Sequence, residues 1–340
     1  MSNRILARCI APAVFICLAA PALAAGPTWS VLAQFDDAPE GLVADKSGNL
    51  YASLYHSGRI VRVDADGKVE ELASLRDVVG EVSGSAVGMD WDGGDYLYVA
   101  FNEYSARYAW PANPGLAREA CGDSTVTHTG LYRVSITTGK VEAVATRADG
   151  YPLCFPDDPA VAPDGSVYLS DLSFPGIWRY SPKTDELVMW SKDELFDPGK
   201  KPMSGFPVGV NGVAVSAAGD AVYGVVGGNP MLIRIPINAD GTAGAATMVT
   251  YGYDNMDGLE IDAAGSFYVT EALRNEIWQI SPDAHKRQQL GNPLDAPLGS
   301  PASMAWRNGA LCVTNLNFFG NLPPEKANTI VCASDIPARW

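Results

Sequence analysis

One unit recurs six times along this chain, and it limits what the chain can become. Its members, in order, are PEGLVADKSGNLYAS from Pro39, AVGMDWDGGDYLYVAF from Ala86, DDPAVAPDGSVYLSD from Asp157, VNGVAVSAAGDAVYGV from Val210, MDGLEIDAAGSFYVTE from Met256 and PASMAWRNGALCVTN from Pro301. Each alternates apolar and polar residues, turns at a glycine and alternates again, the pattern of a β-hairpin. The turn glycines Gly48, Gly93, Gly165, Gly219, Gly265 and Gly309 lie 45, 72, 54, 46 and 44 residues apart. An isolated hairpin cannot bury its apolar face, so the repeats must pack on one another.

The sequence between these hairpins supplies two more strands per repeat. RIVRVDAD from Arg59 alternates, turns at Gly67 and returns as KVEELASL, and its equivalents are GLYRVSI, GIWRYSP, MLIRIPI and EIWQISP. Four strands at this period predict an all-β, six-bladed β-propeller with four-stranded blades. An insertion over 104–127 explains the longest gap, and shorter ones occupy 193–206 and 291–300. Only three strands follow Pro301, whereas TWSVLAQF from Thr28 has no partner of its own. That N-terminal strand is expected to complete the last blade and close the ring, which leaves no long free edge. Residues 25–340 read as a single domain.

Residues 1–24 read as a secretory signal peptide. Arg4 and Arg8 precede a mostly apolar run from Ile10 to Leu18, and Ala22-Leu23-Ala24 is a small-residue cleavage site. The apolar run is shorter than the ~20 residues a membrane span needs. The expectation is a periplasmic or secreted protein. A net charge of -15 argues against nucleic acid, whose phosphates require lysine and arginine, and no later segment reads as membrane-spanning. The expected partner is a small molecule. Cys121, Cys154, Cys312 and Cys332 remain after cleavage, an even number that fits disulfides in an exported chain. Three pairings are open, and Cys121–Cys154 with Cys312–Cys332 is the expected one. No Cys-x-x-Cys pair marks a zinc site.

In a propeller the first strand of each blade lines the central channel, so equivalent positions form a ring. Aligning the strand starts gives Glu40, Val87, Asp158, Asn211, Asp257 and Ala302. Crowded, buried carboxylates raise one another's pKa, and a bound cation removes that penalty. Glu40, Asp158, Asn211 and Asp257 are therefore the candidate metal ligands. Hard oxygen donors favour Ca²⁺, with Mg²⁺, Mn²⁺ or Zn²⁺ as alternatives. The plainer reading is a solvated polar channel whose acids merely end strands. The ends of the second strands return to the same face and carry Asn102, Asp171, Glu271 and Asn315. Asn102, Asn315 and, besides its place among the metal ligands, Asn211 are candidates for substrate binding, and so is His56, which follows the second strand of the first repeat. Tyr104, Tyr108, Trp110, Phe318 and Phe319 are candidates to wall an apolar pocket.

These motifs carry a resemblance. PEGL, VNGVAV and MDGLEID, in order and at this spacing, resemble the gluconolactonase/senescence-marker-protein (regucalcin) family of six-bladed propellers, with paraoxonases and strictosidine synthases as more distant relatives. The resemblance implies a divalent metal held by Glu40, Asn211 and Asp257, with Asp158 where paraoxonase-like members place an Asn, and a substrate-contacting Asn at Asn102. The paraoxonase histidine and the arginines of some gluconolactonases have no match here. Together these readings predict an exported metal-dependent hydrolase of a lactone or related ester, with Asp257 giving general-base assistance. The alternative is a non-catalytic ligand- or protein-binding propeller with a structural calcium ion. No G-x-S-x-G or H-E-x-x-H signature supports another hydrolase class.

Overall fold

The computed structural model describes residues 26–104, 123–148, 153–198, 203, 205, 207–320, 322–324 and 326–337. Among them lie six four-stranded antiparallel sheets, each a blade of the propeller. Five blades run in chain order from the inner strand outward; blade one, for example, is Pro39–Ala44, Leu50–Leu54, Arg59–Val63 and Val69–Ser74. The sixth is composite. Its three inner strands, Pro301–Arg307, Ala310–Asn315 and Thr329–Ser334, are completed on the outside by Thr28–Gln34. The ring closes as the unpartnered N-terminal strand predicts.

Closure is held by packing and by a covalent bond. Ala33 and Phe35 from the N-terminal segment bury against Leu42 and Leu50 of blade one and Cys312 and Ile330 of blade six. Cys312 and Cys332 sit opposite each other on neighbouring strands and form a disulfide. Cys154 is also disulfide-bonded; its expected partner, Cys121, lies outside the described residues. So do the 1–24 segment and most of the 104–127 insertion.

The core lies mainly between blades. Tyr51 and Ile60 of blade one pack on Met89, Leu97 and Val99 of blade two, and Tyr268 and Ile277 of blade five on Leu311, Val313 and Val331 of blade six. Alternation along each strand sends its apolar residues to faces that only a neighbouring blade can cover. That is why six incomplete hairpins make one closed body.

The inner strands share one irregularity that shapes the site. In every blade the pairing of first and second strands breaks over three residues: Pro39/Leu42, Ala86/Met89, Pro156/Pro159, Val210/Val213, Met256/Leu259 and Pro301/Met304. Such a bulge frees the residues inside it from the ladder and re-aims their side chains. The first residue of the bulge faces one shared cavity in five of the blades. The second is Gly41, Gly88, Gly212 and Gly258 in four blades. A Cβ on Gly258 would lie 2.2 Å from the Ala302 carbonyl oxygen. Neighbouring inner strands approach one another that closely because these positions carry no side chain.

Candidate metal centre and substrate cavity

The bulges of five blades place Glu40, Val87, Asp157, Asn211 and Asp257 around one end of the channel, and Ala302 holds the equivalent position in the sixth. Carboxylate oxygens of Glu40, Asp157 and Asp257 all lie within 4.8 Å of one another. Asn211 completes the polar arc and donates a side-chain hydrogen bond to Asp257.

The third blade requires a correction. Asp157 occupies the ring, and Asp158, the expected ligand, does not. Asp158 accepts a hydrogen bond from the Val213 N–H at 3.0 Å and lines a different cavity, further along the inner strands. The one-residue slip came from starting the third repeat at Asp157. Starting it at Pro156 sets PDDP against PEGL and puts Asp157 opposite Glu40. In a strand a one-residue shift exchanges the two faces.

Behind the ring runs a relay of hydroxyls that sets its geometry. The Gly41 N–H donates to Ser53 Oγ at 2.8 Å, and Ser53 Oγ donates to the Val87 carbonyl at 2.7 Å. Thr270 links Gly258 to Ala302 in the same way, at 2.7 and 2.8 Å. Thr314 takes the Ser303 N–H at 3.0 Å and donates to the Glu40 carbonyl at 2.6 Å, joining blade six to blade one. Each hydroxyl satisfies an amide freed by a bulge and ties it to the next blade. The recurring Ser or Thr near the end of four of the six second strands, in YASL, YLSD, YVTE and CVTN, was the available sequence signal.

The residues that end the second strands do something different from what was expected of them. Asn102 is buried; its amide donates to the Pro156 carbonyl at 2.9 Å, directly behind Asp157. Asp171 accepts from the N–H groups of Cys154, Phe155, Ser173 and Phe174, each at 3.0 Å. Asn315 accepts from Gly299 N–H at 3.0 Å and donates to the Pro297 carbonyl and Thr329 Oγ1. These side chains hold the loops that lead into the inner strands. Asn102 and Asn315 are thus not part of the cavity wall, contrary to their expected role as substrate contacts. His56 packs edge-on against Tyr55 and lines an outer groove at the mouth.

The ring is crowded with carboxyls, and no counter-charge faces it among the described residues. Burial pushes the Glu40 and Asp157 carboxyls well above the usual carboxylate range, and their repulsion from neighbouring carboxylates adds to it. Burial also raises Asp257 to about 7, against the opposing hydrogen bond from Asn211. Glu40 Oε2 is buried with no hydrogen-bond partner among the described residues. An orphaned carboxylate oxygen beside two more carboxylates and an amide is a donor set of hard oxygens, and it fits a divalent cation. Among the described residues lining the cavity there is no lysine, arginine or histidine.

The ring forms the floor of a cavity. Glu40, Asp157, Asn211 and Asp257 share its lining with Asn255, Ser300, Tyr55, Phe155, Leu172, Val208, Leu316, Phe318 and Phe319. Asn255 was not singled out in the sequence, although it stands two residues before Asp257. Phe318 and Phe319 do line the cavity. Tyr104 stacks on Phe155 and hydrogen-bonds the Tyr55 hydroxyl at 2.9 Å; Tyr108 and Trp110 lie outside the described residues. The second cavity, of about 160 Å³, is lined by Asp90, Asp158 and Glu260. Burial raises Asp90 to about 6 and Glu260 to about 8.

Comparison with known proteins agrees with the propeller fold. Residues 102–316, well over half of the chain, match the model of the SMP-30/gluconolactonase/LRE-like region. The chain belongs to the SMP-30/gluconolactonase/LRE-like family. Residues 31–63 also match the N-terminal model of strictosidine synthase-like proteins. A gluconolactonase from Xanthomonas campestris is 16% identical, with a TM-score of 0.62 and 93% of each chain covered. The calcium-binding protein regucalcin from Agrobacterium tumefaciens is also 16% identical, with a TM-score of 0.62, over 92% of this chain and 94% of that one. At such identities the likeness is one of fold. No curated protein matches the chain in sequence. Glu40, Asn211 and Asp257 share this cavity with Asp157.

Proposed function

We propose that this protein is an exported, metal-dependent hydrolase acting on a lactone or related ester. One observation carries the reading: Glu40, Asp157, Asn211 and Asp257 all face one cavity, so a cation held by them would also face a bound molecule. A structural plug would instead be enclosed by protein oxygens. Family membership and the gluconolactonase neighbour support the same reaction class. Export rests on the signal-like pattern of residues 1–24.

A divalent cation at this ring, most simply Ca²⁺, supplies Lewis-acid polarisation of the substrate carbonyl. The protein's own residues do the rest. Asn211 fixes the Asp257 carboxylate through its hydrogen bond. Asn255, on the cavity wall, is placed to orient the substrate's carbonyl end. Asp257 takes a proton as water adds to the carbonyl carbon. The ring C–O bond then breaks, and that proton passes to the departing alkoxide oxygen, giving a hydroxy acid.

The test is acid release from aliphatic, aromatic and sugar lactones, using protein stripped by chelator and restored with Ca²⁺, Mg²⁺, Mn²⁺ or Zn²⁺. Metal-restored turnover that Asp257→Asn loses supports the hydrolase. Stoichiometric metal binding without turnover of any lactone would instead make the ion structural and the propeller a binding module.

A further inference from the structure

The floor and the wall of this cavity have opposite chemistry. The floor is the carboxylate and amide ring. The wall above it is apolar: Phe155, Leu172 and Val208 form one buried cluster on one side, and Leu316, Phe318 and Phe319 stand on the other. The polar groups among them are few: Tyr55, Ser300 and Asn255. The Tyr55 hydroxyl bonds Tyr104 at 2.9 Å, Ser300 Oγ accepts from the Phe319 N–H at 3.2 Å, and the Asn255 amide reaches the Gly227 carbonyl at 3.5 Å. A polyhydroxylated substrate would outnumber these partners and leave hydroxyls unpaired against the described wall, which costs binding at each unpaired one.

The space above the ring is small, about 90 Å³. Beside it, between the first and last blades, lies a more open groove of about 530 Å³ whose outer lining is polar, with Asp36, Asp37, His56, Asn317 and Asn328. Tyr55, Leu316 and Phe318 line both, so they form the passage between them. The chamber suits the reacting carbonyl and its ring; the apolar edge of Tyr55, Leu316 and Phe318 suits a longer substituent.

From this arrangement we infer that the substrate is a lactone or ester bearing a long alkyl or aryl-alkyl chain, whose chain leaves the chamber over Tyr55, Leu316 and Phe318 into the groove. This rests on the hydrolase reading above. Burial of each methylene along that passage strengthens transition-state binding by about fourfold. Hydroxylated sugar lactones gain nothing from it.

The experiment is a homologous series from δ-valerolactone to δ-dodecalactone, with glucono-δ-lactone alongside, on metal-restored full-length protein. The expected result is a kcat/KM that climbs by about fourfold per methylene over the first several carbons, with glucono-δ-lactone among the poorest substrates. Leu316→Ser and Phe318→Ser should flatten that slope. A profile independent of chain length, or glucono-δ-lactone as the best substrate, overturns the chain-bearing substrate and leaves the hydrolase standing. Should no lactone turn over with any metal, the hydrolase falls, and calorimetric binding then judges the cavity by itself. δ-Dodecalactone binding at least tenfold more tightly than glucono-δ-lactone upholds an apolar ligand, and equal or weaker binding overturns it.

Discussion

Asp157 and Asp158 are neighbours in sequence and serve different cavities. The Asp157 carboxylate meets Glu40 and Asp257 at the ring. The Asp158 carboxylate accepts the Val213 N–H and lines the cavity further along the inner strands. The two adjacent acids can therefore be separated by experiment. Asp157→Asn is expected to weaken Ca²⁺ binding by at least tenfold, whereas Asp158→Asn keeps it within a few-fold. Calorimetric titration of both variants checks this; equal losses in the two would contradict the placement.

Metal should stabilise the fold as well as occupy the ring. A cation that binds only the native state at a hundred times its Kd adds about 2.7 kcal/mol, or roughly 5 °C in Tm for a domain of this size. Thermal scans with and without Ca²⁺ measure the shift. Glu40→Gln removes one of the crowded carboxylates, so its metal-free form should melt higher than the metal-free wild type. Its Ca²⁺-induced shift should nearly vanish. A Ca²⁺ response of wild-type size in Glu40→Gln would remove Glu40 from the ligand set.

The hydroxyl relay predicts that Thr314→Val is costly despite its nearly identical shape. It leaves the Ser303 N–H and the Glu40 carbonyl without the partner they share. Two buried groups losing a partner should destabilise the protein by about 2–4 kcal/mol. Denaturant unfolding gives the number, and a loss below 0.5 kcal/mol would mean that the relay is incidental.

Glu260 predicts a pH dependence. Its carboxyl is raised from 4.5 to about 8 by burial, with the Asp90 charge adding to it. The fold therefore holds a proton there that the unfolded chain gives up. That contribution is complete below pH 4.5 and is lost as pH rises through 8. Glu260→Gln, which cannot ionise, should match the wild type in Tm near pH 4.5 and exceed it increasingly towards pH 9. A Tm difference that stays constant over this range would show that Glu260 titrates normally.

The Cys312–Cys332 bond spans 20 residues and links neighbouring strands of the closing blade. Replacing both cysteines by alanine should lower stability by about 3 kcal/mol, the loop-closure value for this separation. Unfolding of the double variant beside reduced and oxidised wild type checks it; a change under 1 kcal/mol would show that packing alone closes the ring.

Much of the architecture could be read from residue order. Blade count, strand alternation, the N-terminal strand closing the last blade and the axial positions of Glu40, Asn211 and Asp257 all follow from one repeat. Periodicity is a local property, and strands of period 2 must bury their apolar face somewhere. Tertiary structure decided what lies across the repeat. The bulge in the third blade chose Asp157 over Asp158, because a one-residue change in register exchanges the two faces of a strand. The loops packed behind the ring claimed Asn102, Asp171 and Asn315, since buried backbone groups must be paired and these side chains were the ones within reach. The apolar wall gathers Phe155 from blade three and Phe318 from blade six. Residues 163 positions apart carry no mark of adjacency until the ring closes.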